Sequence, residues 1–457
     1  MPRLLIAGVS GGSGKTIVTM GLLLLLRRAG VEVRAFKKGP DYIDPAWLAW
    51  ASANPARNLD AFLMGIEGVR ASFRGHGITD GINLIEGNRG FFDGVDAAGT
   101  YSSAALAGNL DSPSVLVMDA TKMTRTAAAI VLGCQKLDPN ASIQGVVLNN
   151  VSSQRHERII REAIEQACSI PVIGALPRLE KNPLPERHLG LVPPEEHERM
   201  DRLERCLLEW MESRIDVDAV IAIARSASPV EACSDESKDL PDARGLRIGY
   251  VRDSAFSFYY PENLEELERA GAELIRISAV DGNAIPSGLH ALYVGGGFPE
   301  MHAKRLSENS SFLGSLSRAC ANGLPVYAEC GGLILLARSL KWSGTRYSMA
   351  NVFPIDVEGF TKPQGHGYSE LRVDGPNPFF AQGAVLRGHE FHYSRIDGNH
   401  AAVATSCTVV RGAGCFAGRD CLVSQNVMAS YTHLHETATP EWAAGMVAAA
   451  RRFAGLR

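Results

Sequence analysis

The chain has 457 residues, 46% of them hydrophobic and 21% charged, with a formal net charge of −4 from 46 basic and 50 acidic residues. This length predicts two or three domains of ordinary globular composition, and the slightly acidic balance gives no electrostatic reason to expect nucleic acid or an anionic membrane as a partner. Nine scattered cysteines without a Cys-x-x-Cys pair favour reduced thiols and a cytoplasmic protein.

The N-terminus combines a short apolar run with a glycine-rich loop. We predict a strand over residues 3–7 rather than a signal peptide, because the loop GVSGGSGKT follows directly and the apolar run is short. Backbone N–H groups around Gly12 and Gly14 can surround phosphates. Lys15 can reach the β- and γ-phosphates, and Thr16 can ligate Mg²⁺. The motif therefore predicts ATP as a co-substrate and Mg²⁺ as a cofactor.

Acidic residues follow two further predicted strands of this half. The strand at 32–36 leads into KKGPDYIDP, which contains Asp41, and the strand at 81–85 leads into EGNRGFFDG, which begins with Glu86. Asp41 and the nearby Asp44 could be solvated turn residues. Because the carboxyl ends of parallel strands form ligand sites in α/β proteins, we interpret Asp41 and Glu86 as metal or substrate groups.

Strands and helices continue to alternate, with strands predicted at 114–119, 143–149 and 171–175. This alternation predicts a doubly wound parallel sheet. Asn149 lies at the end of a strand, where its amide is suited to reading the edge of the nucleotide base.

A polar, turn-rich segment without periodicity, RSASPVEACSDESKDLPDAR, separates this half from the next. It is predicted to be a linker. The predicted organisation is a P-loop domain at 1–224, the linker at 225–244 and a second α/β domain at 245–457.

The second half is organised around YAECGGL, in which an apolar strand ends at Cys330 and a helix follows at once. Such a turn predicts a nucleophile elbow, in which a strained cysteine has a depressed pKa at a helix N-terminus. Backbone N–H groups of Gly331 and, from the loop GGGFPE, of Gly296 are predicted to form an oxyanion hole. A buried structural cysteine before a glycine-rich turn is the alternative.

Eight motifs occur in order along the chain: GVSGGSGKT, FKKGPDYIDP, EGNRGFFDG, RHLGLVPPEEH, LYVGGGFPE, YAECGGL, GHEFHYS and ASYTHLH. Together they resemble the cobyrinic acid a,c-diamide synthase family over essentially the whole chain. The resemblance implies a dethiobiotin-synthetase-like P-loop domain followed by a class I glutamine amidotransferase-like domain. It also implies a ligase that uses ATP and L-glutamine to amidate the a and c acetate carboxylates of a tetrapyrrole through acyl phosphates.

The resemblance assigns His433, in the SYTHLH motif, as the general base that activates Cys330. Amidotransferases with a full catalytic triad carry a glutamate two residues after this histidine, where this chain has His435. Glu390 and Glu436 are two candidates for the missing orienting acid.

In the P-loop half, the resemblance assigns Asp41, Glu86 and Asp93 to the metal, to substrate activation or to the order of amidation. It places Tyr42 in the substrate loop and Asn149 at the nucleotide base. The macrocycle stays open between cobyrinic acid, hydrogenobyrinic acid and nickel-sirohydrochlorin, because the pair Asn88-Arg89 stands where many members carry apolar residues. The oligomeric state is also open, with a homodimer as one option.

Three other interpretations compete with this one. A partition-type ATPase switch would carry an extra lysine near the first glycine of its loop, where this chain has Ser10 and Gly11. A cysteine hydrolase without ATP chemistry would not need GSGKT. A metal cluster is the third, although its spacings match no known zinc motif; its ligands would be Cys407, Cys415, Cys421 and His435.

Overall fold

The computed structural model describes residues 1–179, 183–184, 186–187, 190–197, 199–230, 241–398 and 403–456. The chain divides into two compact units, Met1–Asp235 and Glu236–Arg457. Within the predicted linker, residues 231–240 lie outside the described residues, as do residues 188 and 189 of the RHLGLVPPEEH motif. The predicted domain bounds at 224 and 245 stay predictions.

The first unit alternates strands with helices, as its sequence predicts. Its elements are β1 (Arg3–Gly8), α1 (Lys15–Arg28), β2 (Val33–Lys38), α2 (Ile43–Ser52), β3 (Arg57–Leu59), α3 (Ala61–His76), β4 (Ile82–Gly90), α4 (Ser103–Asn109), β5 (Ser114–Asp119), α5 (Thr126–Leu137), β6 (Ile143–Val151), α6 (Gln154–Cys168), β7 (Val172–Pro177), β8 (Glu186–Arg187), β9 (Gly190–Leu191), a 3₁₀ turn (Pro194–Glu196), α7 (Met200–Met211) and α8 (Val217–Arg225).

A parallel sheet forms the centre of this unit, with the strand order β3-β2-β4-β1-β5-β6-β7. Along β1, Leu4 and Ile6 pack into one hydrophobic cluster, whereas Leu5 and Ala7 pack into another. Since side chains of a strand alternate between faces, both faces of the sheet are buried under helices. The predicted doubly wound P-loop sheet is confirmed, and the loop after β1 leaves from its central strand.

The second unit is a mixed α/β structure. Its elements are β10 (Arg247–Val251), α9 (Pro261–Arg269), β11 (Glu273–Ile277), β12 (Ala291–Val294), a 3₁₀ turn (Pro299–His302), α10 (Ala303–Glu308), α11 (Ser310–Ala321), β13 (Val326–Glu329), α12 (Gly331–Leu336), β14 (Ser339–Trp342), β15 (Thr345–Ser348), β16 (Asp356–Gly359), β17 (Gly365–Val373), β18 (Val385–His392), β19 (Ser394–Asp397), β20 (Ala404–Arg411), β21 (Arg419–Ser424), β22 (Val427–Ser430), β23 (His433–Leu434) and α13 (Glu441–Phe453).

The larger sheet of this unit has the order β11-β10-β12-β13-β22-β21-β20-β17-β18-β23. It is parallel from β11 to β22 and antiparallel from β22 to β23. Only Tyr431 and Thr432 separate β22 from β23 in the chain. The antiparallel strands must therefore curl round until the edge strand returns beside the end of β22, where it pairs with β18 through Gly388↔Leu434 and His389↔His433.

A smaller sheet with the order β15-β14-β16-β19 was not predicted from the sequence. The short strand β3 and the helix α8 were also not predicted. Across the residues that the structure describes, no helix is long and apolar enough to cross a membrane.

Candidate functional site

The glycine-rich loop after β1 places Lys15 and Thr16 at the start of α1. The Nζ atom of Lys15 lies 3.4 Å from the carbonyl oxygen of Ser10, and the side chain is buried. Burial lowers the pKa of Lys15, and the neighbouring Lys37 ammonium lowers it further. The Thr16 hydroxyl donates a hydrogen bond of 2.8 Å to Oε1 of Glu86, so two predicted metal ligands are in contact.

The buried ammonium of Lys37, which the sequence analysis missed, contacts two acids of this site. Lys37 is 2% exposed, and its Nζ donates to Oδ2 of Asp44 at 2.6 Å and to Oε1 of Glu86 at 2.7 Å. Burial opposes the charge, but the two carboxylates outweigh it and raise the pKa of Lys37. The sequence signal was a pair of lysines at the carboxyl end of β2, before the glycine turn of KKGPDYIDP.

Glu86 is fully buried within β4, which continues to Gly90 instead of ending at residue 85 as predicted. Burial raises its pKa, and the Lys37 charge opposes that rise. Its Oε1 accepts the hydrogen bonds from Thr16 and Lys37, whereas its buried Oε2 has no hydrogen-bond partner among the described residues. Hydroxyl and carboxylate oxygens are the donors that Mg²⁺ prefers, so Thr16 and Glu86 fit a magnesium ion.

Asp41 and Tyr42 lie directly before α2. Oδ1 of Asp41 accepts hydrogen bonds from the backbone N–H groups of Ile43 at 2.9 Å and Asp44 at 3.2 Å, so the carboxylate caps the helix. Burial, followed by the nearby Asp44, raises the pKa of Asp41 to about 7. The roles predicted for Asp41 at the metal and for Asp41 and Tyr42 at the substrate stay predictions.

Asp93 and Asn149 hold backbone segments in place. Oδ2 of Asp93 accepts from the N–H of Gly90 at 2.8 Å, which closes the EGNRGFFDG turn. Nδ2 of Asn149 donates to the Ser13 carbonyl at 3.0 Å, and its Oδ1 accepts from the N–H of Asn150 at 2.9 Å. Asn149 therefore anchors the phosphate loop to β6, and its contact with a nucleotide base stays a prediction.

The predicted elbow in the second unit has the backbone geometry expected of it. Cys330 follows β13 with φ 48° and ψ −96°, a positive φ that residues with a side chain rarely adopt. Its N–H donates to the Ser430 carbonyl at 2.7 Å, and its carbonyl accepts from the N–H of Ile334 at 3.2 Å. Hydrogen bonds to β22 and α12 thus hold the strained residue between strand and helix.

The predicted direction of the Cys330 pKa is wrong. Burial raises the pKa of this thiol, and the Glu300 carboxylate raises it further. The one short helix that follows does not offset the loss of water around the sulfur. Burial also raises the pKa of Glu300 to about 7. The resting nucleophile is therefore a neutral thiol, which needs a base for its ionisation.

His433 reaches the elbow region from β23. A Cβ atom at Gly296 would lie 2.4 Å from Cε1 of His433, so only glycine fits beside the imidazole. A Cβ atom at Gly331 would in turn lie 3.3 Å from the carbonyl carbon of Gly296. The predicted base and both predicted oxyanion glycines therefore belong to one cluster next to Cys330.

Glu329, which the sequence analysis did not single out, is fully buried beside His433. Its Oε2 lies 3.5 Å from Nδ1 of His433 and accepts from the Tyr293 hydroxyl at 2.9 Å. Its Oε1 accepts from the Tyr327 hydroxyl at 3.1 Å and from the N–H of Leu434 at 3.0 Å. The sequence signal was a glutamate inside an otherwise apolar strand, directly before the nucleophile.

The two acids proposed from the sequence as orienting groups contact other residues. Glu390 lies 3.3 Å from Nε2 of His392 and accepts from the N–H of Gly414 at 3.1 Å. Glu436 accepts from the Thr437 hydroxyl at 2.6 Å.

His435 faces a different acid from His433. Its Nε2 lies 3.7 Å from Oε2 of Glu262, and its ring centroid is 4.6 Å from that of Tyr260. The part of the chain that the structure describes contains no group of three or more His, Cys, Asp or Glu side chains suited to a metal ion.

A pocket lies beside Cys330. Its walls are largely apolar and aromatic, including Trp342 and Phe391, with Glu300 and His392 as polar groups. This combination is typical of a pocket for a small polar ligand.

Comparison with known protein families matches each unit to a separate domain. Residues 4–192 match the CobQ/CobB/MinD/ParA nucleotide binding domain, and residues 247–440 match the CobB/CobQ-like glutamine amidotransferase domain. The first match agrees with the phosphate loop after β1, and the second with the elbow at Cys330.

Relatives named cobyrinate a,c-diamide synthase match over nearly the full length of the chain, and three of them illustrate the similarity. The protein from Magnetococcus marinus is 40% identical over 448 residues, which cover 97% of this chain and 96% of the relative. The protein from Archaeoglobus fulgidus is 37% identical, covering 95% of this chain and 94% of the relative. The protein from Salmonella typhimurium is 36% identical, covering 98% of both.

Proposed function

The chain belongs to the cobyrinate a,c-diamide synthase family, and on that basis we propose that it is a ligase that amidates the a and c acetate carboxylates of cobyrinic acid with ATP and glutamine. The observation that supports this most strongly is the presence of both halves of the chemistry in one chain. A P-loop site with a buried carboxylate lies in one unit, and a cysteine elbow with a neighbouring imidazole lies in the other.

The first unit activates the carboxylate. A carboxylate is a poor electrophile, so transfer of the γ-phosphoryl group of ATP converts it into an acyl phosphate and releases ADP. Lys15 and the N–H groups of the loop at Gly12 and Gly14 bind the phosphates. Thr16 and Glu86 would hold Mg²⁺, which when bound offsets the negative charge of the phosphates. Ammonia then attacks the acyl carbon, and phosphate leaves as the amide forms.

The second unit releases ammonia from glutamine. His433 takes the proton of the Cys330 thiol as the sulfur attacks the side-chain amide carbon, and the N–H groups of Gly296 and Gly331 stabilise the oxyanion. His433 then gives that proton to the departing ammonia, leaving a glutamyl thioester that water hydrolyses to glutamate. Because the resting thiol is neutral, proton removal has to accompany the attack.

Three finer expectations complete the proposal. Asp41, Tyr42 and Asp93 lie on the macrocycle side of the P-loop site, and Asn149 serves the nucleotide. The substrate is cobyrinic acid, with hydrogenobyrinic acid and nickel-sirohydrochlorin as alternatives. The protein works in the cytoplasm without nucleic acid or membrane partners, and a homodimer is one option for its oligomeric state.

The test is a product analysis with amide-¹⁵N glutamine and ATP. The full chain is incubated separately with cobyrinic acid, hydrogenobyrinic acid and nickel-sirohydrochlorin. The mass of each product is then measured by mass spectrometry. We expect cobyrinic acid to gain ¹⁵N at two amides, with ¹⁵N-ammonium replacing glutamine in the matched control. ATP turnover that ignores both glutamine and macrocycle would instead identify a nucleotide switch and refute the proposal.

A further inference from the structure

Cysteine–histidine sites that cleave amides commonly use a third group, an acid that orients the imidazole and stabilises its charged form. In this chain the position two residues after His433, where such an acid would stand, is His435. That histidine faces Glu262, at 3.7 Å. An acid for His433 must therefore come from elsewhere in the fold.

We propose that Glu329, the residue directly before the nucleophile, is the positioning acid of His433, an inference that rests on the proposed glutaminase reaction at Cys330. Its Oε2 lies 3.5 Å from Nδ1 of His433, and both side chains are almost completely buried, at 0% and 2% exposure. A carboxylate at Nδ1 favours the tautomer with its proton on that atom, which leaves Nε2 as the basic nitrogen for the thiol.

The carboxylate of Glu329 is itself held in place. The Tyr293 hydroxyl donates to Oε2, while the Tyr327 hydroxyl and the N–H of Leu434 donate to Oε1. Burial raises the pKa of both tyrosines well above the ordinary range, so both hydroxyls stay protonated donors. The Leu434 bond also fixes the backbone next to His433. The acid thus fixes the position of the imidazole ring and also that of the strand that carries it.

The ring that stacks on His433 does not supply a competing charge. The ring of His389 stacks on that of His433, with centroids 5.0 Å apart and an interplanar angle of 19°. Burial, followed by the effect of His433, lowers the pKa of His389 well below its ordinary value, so His389 stays neutral. The Tyr260 hydroxyl is near Nδ1 of His389, at 3.2 Å. Glu329 is thus the acid placed to stabilise an imidazolium at His433.

A backbone turn lies between the proposed positioning acid and the nucleophile that follows it in sequence. Glu329 ends β13 in register with Ser430 of β22, and Cys330 then adopts a positive φ. The strained residue separates the direction of the thiol from that of the carboxylate.

The test measures glutaminase kinetics for Glu329→Gln, which keeps the shape of the side chain and removes its charge. We expect kcat to fall by about 10²-fold or more while KM for glutamine changes little, because the imidazole, not the glutamine pocket, is affected. Ammonia-dependent amidation should stay close to that of the wild type, which shows that the chain is folded. Glu329→Asp, which keeps the charge, should have a higher kcat than Glu329→Gln.

A double-mutant cycle separates positioning from a general structural role. If Glu329 acts through His433, adding Glu329→Gln to His433→Ala should cause little further loss of kcat. Glu262→Gln is the matched control, because it removes the acid of the His435 pair. We expect it to leave the kcat effect of His433→Ala unchanged. If the fold losses in kcat of Glu329→Gln and His433→Ala multiplied in the double variant, the proposal would be overturned.

Tyr293→Phe covers the case in which Glu329→Gln does not fold, because it removes one donor to Oε2 without touching either charged group. We expect a kcat loss of at most about tenfold, and none in the His433→Ala background. Wild-type glutaminase kinetics in a folded Glu329→Gln would refute the positioning role. If Glu329→Gln does not fold, wild-type kinetics in Tyr293→Phe, or the same kcat loss with and without His433→Ala, would refute it. Absence of glutamine-dependent amidation in the wild type would instead refute the proposed function.

Discussion

The two sites differ in the charge state of a buried ionisable group. In the P-loop unit, Lys37 is charged although it is 2% exposed, because Asp44 and Glu86 lie within 2.7 Å of its ammonium. In the elbow unit, Cys330 is kept neutral by burial and by the Glu300 carboxylate.

This difference shows what each site must do before its reaction begins. A phosphate site benefits from fixed charges, since they attract the polyanion and need no rearrangement when it arrives. A thiol site benefits from a nucleophile that ionises only when a base and an amide are both present. Five predictions test this contrast.

The effect that extends to both nitrogen sources is expected from Lys15→Ala or Thr16→Ala. Either change removes a group that binds phosphate or metal, so acyl phosphate formation should fall by about 10³-fold. The loss should be equal with glutamine and with ammonia, as measured by amide formation. Ammonia-driven amidation near the wild-type rate would contradict the role of the loop.

Cys330→Ser should abolish the use of only one of the two nitrogen sources, glutamine. The glutamine-dependent reaction should disappear because the thioester cannot form, whereas ammonia-dependent amidation should continue. Parallel rates with saturating glutamine and saturating ammonium measure the split. A folded variant that lost both activities would show that the two reactions are not divided between the units as proposed.

His433→Ala should lower glutaminase activity by about two to four orders of magnitude, the loss typical of a missing general base. His435→Ala, whose imidazole faces Glu262, should lose much less. Glutamate release in the absence of macrocycle measures both. A dead His435→Ala beside a nearly normal His433→Ala would reverse the assignment.

Glu86→Gln and Asp44→Asn form a matched pair, because each removes one carboxylate from Lys37. Both should lower the free energy of unfolding by about 2 kcal/mol, as expected for a lost hydrogen bond to a charged group. Only Glu86→Gln removes the carboxylate charge that lies beside Thr16, so it should lose far more ATP-dependent amidation. Denaturant unfolding and amide formation measure the two effects, and equal activities would remove Glu86 from the metal site.

The smallest effect concerns Glu300→Gln. Removing an anion beside the thiol should lower the pKa of Cys330, because the thiolate then meets less repulsion. The rate of thiol alkylation against pH should shift to lower pH, with ammonia-dependent amidation as the control. A profile that stayed in place would mean that burial alone keeps the thiol neutral.

Much of the fold could be predicted because its strands are apolar and lie between turns and helices. The predicted strand at 114–119 matches β5, and the elbow at Cys330 was correctly located. The sheet of β14, β15, β16 and β19 was missed, because its strands have only four residues each and carry mixed polar sequences.

Only the site residues that belong to recognisable sequence motifs were predicted in their roles. The missed groups act through distant partners: Lys37 contacts Glu86 across 49 positions, and Glu329 accepts from the N–H of Leu434 across 105. No local pattern indicates such pairs. The pKa of Cys330 was predicted in the wrong direction because exposure at a turn was inferred from sequence, whereas the residue is 5% exposed.

His433 and His435 show a further limit. In a continuous strand, residues two apart lie on the same face, so both imidazoles would point to one side. The strand β23 ends at Leu434, and the chain then turns into the segment that carries His435. The two rings therefore meet different acids, Glu329 and Glu262.

The pairing of β18 with β23 has a consequence for exchanging segments between relatives. A Cβ atom at Gly388 would lie 2.2 Å from the carbonyl oxygen of His433, so any side chain there would displace the histidine's backbone. The GHEFHYS segment and the SYTHLH segment must therefore fit each other closely, although residues 395–429 separate them in the chain. A chimera that takes its last segment from a relative should keep glutaminase activity only when residues 385–392 come from the same parent.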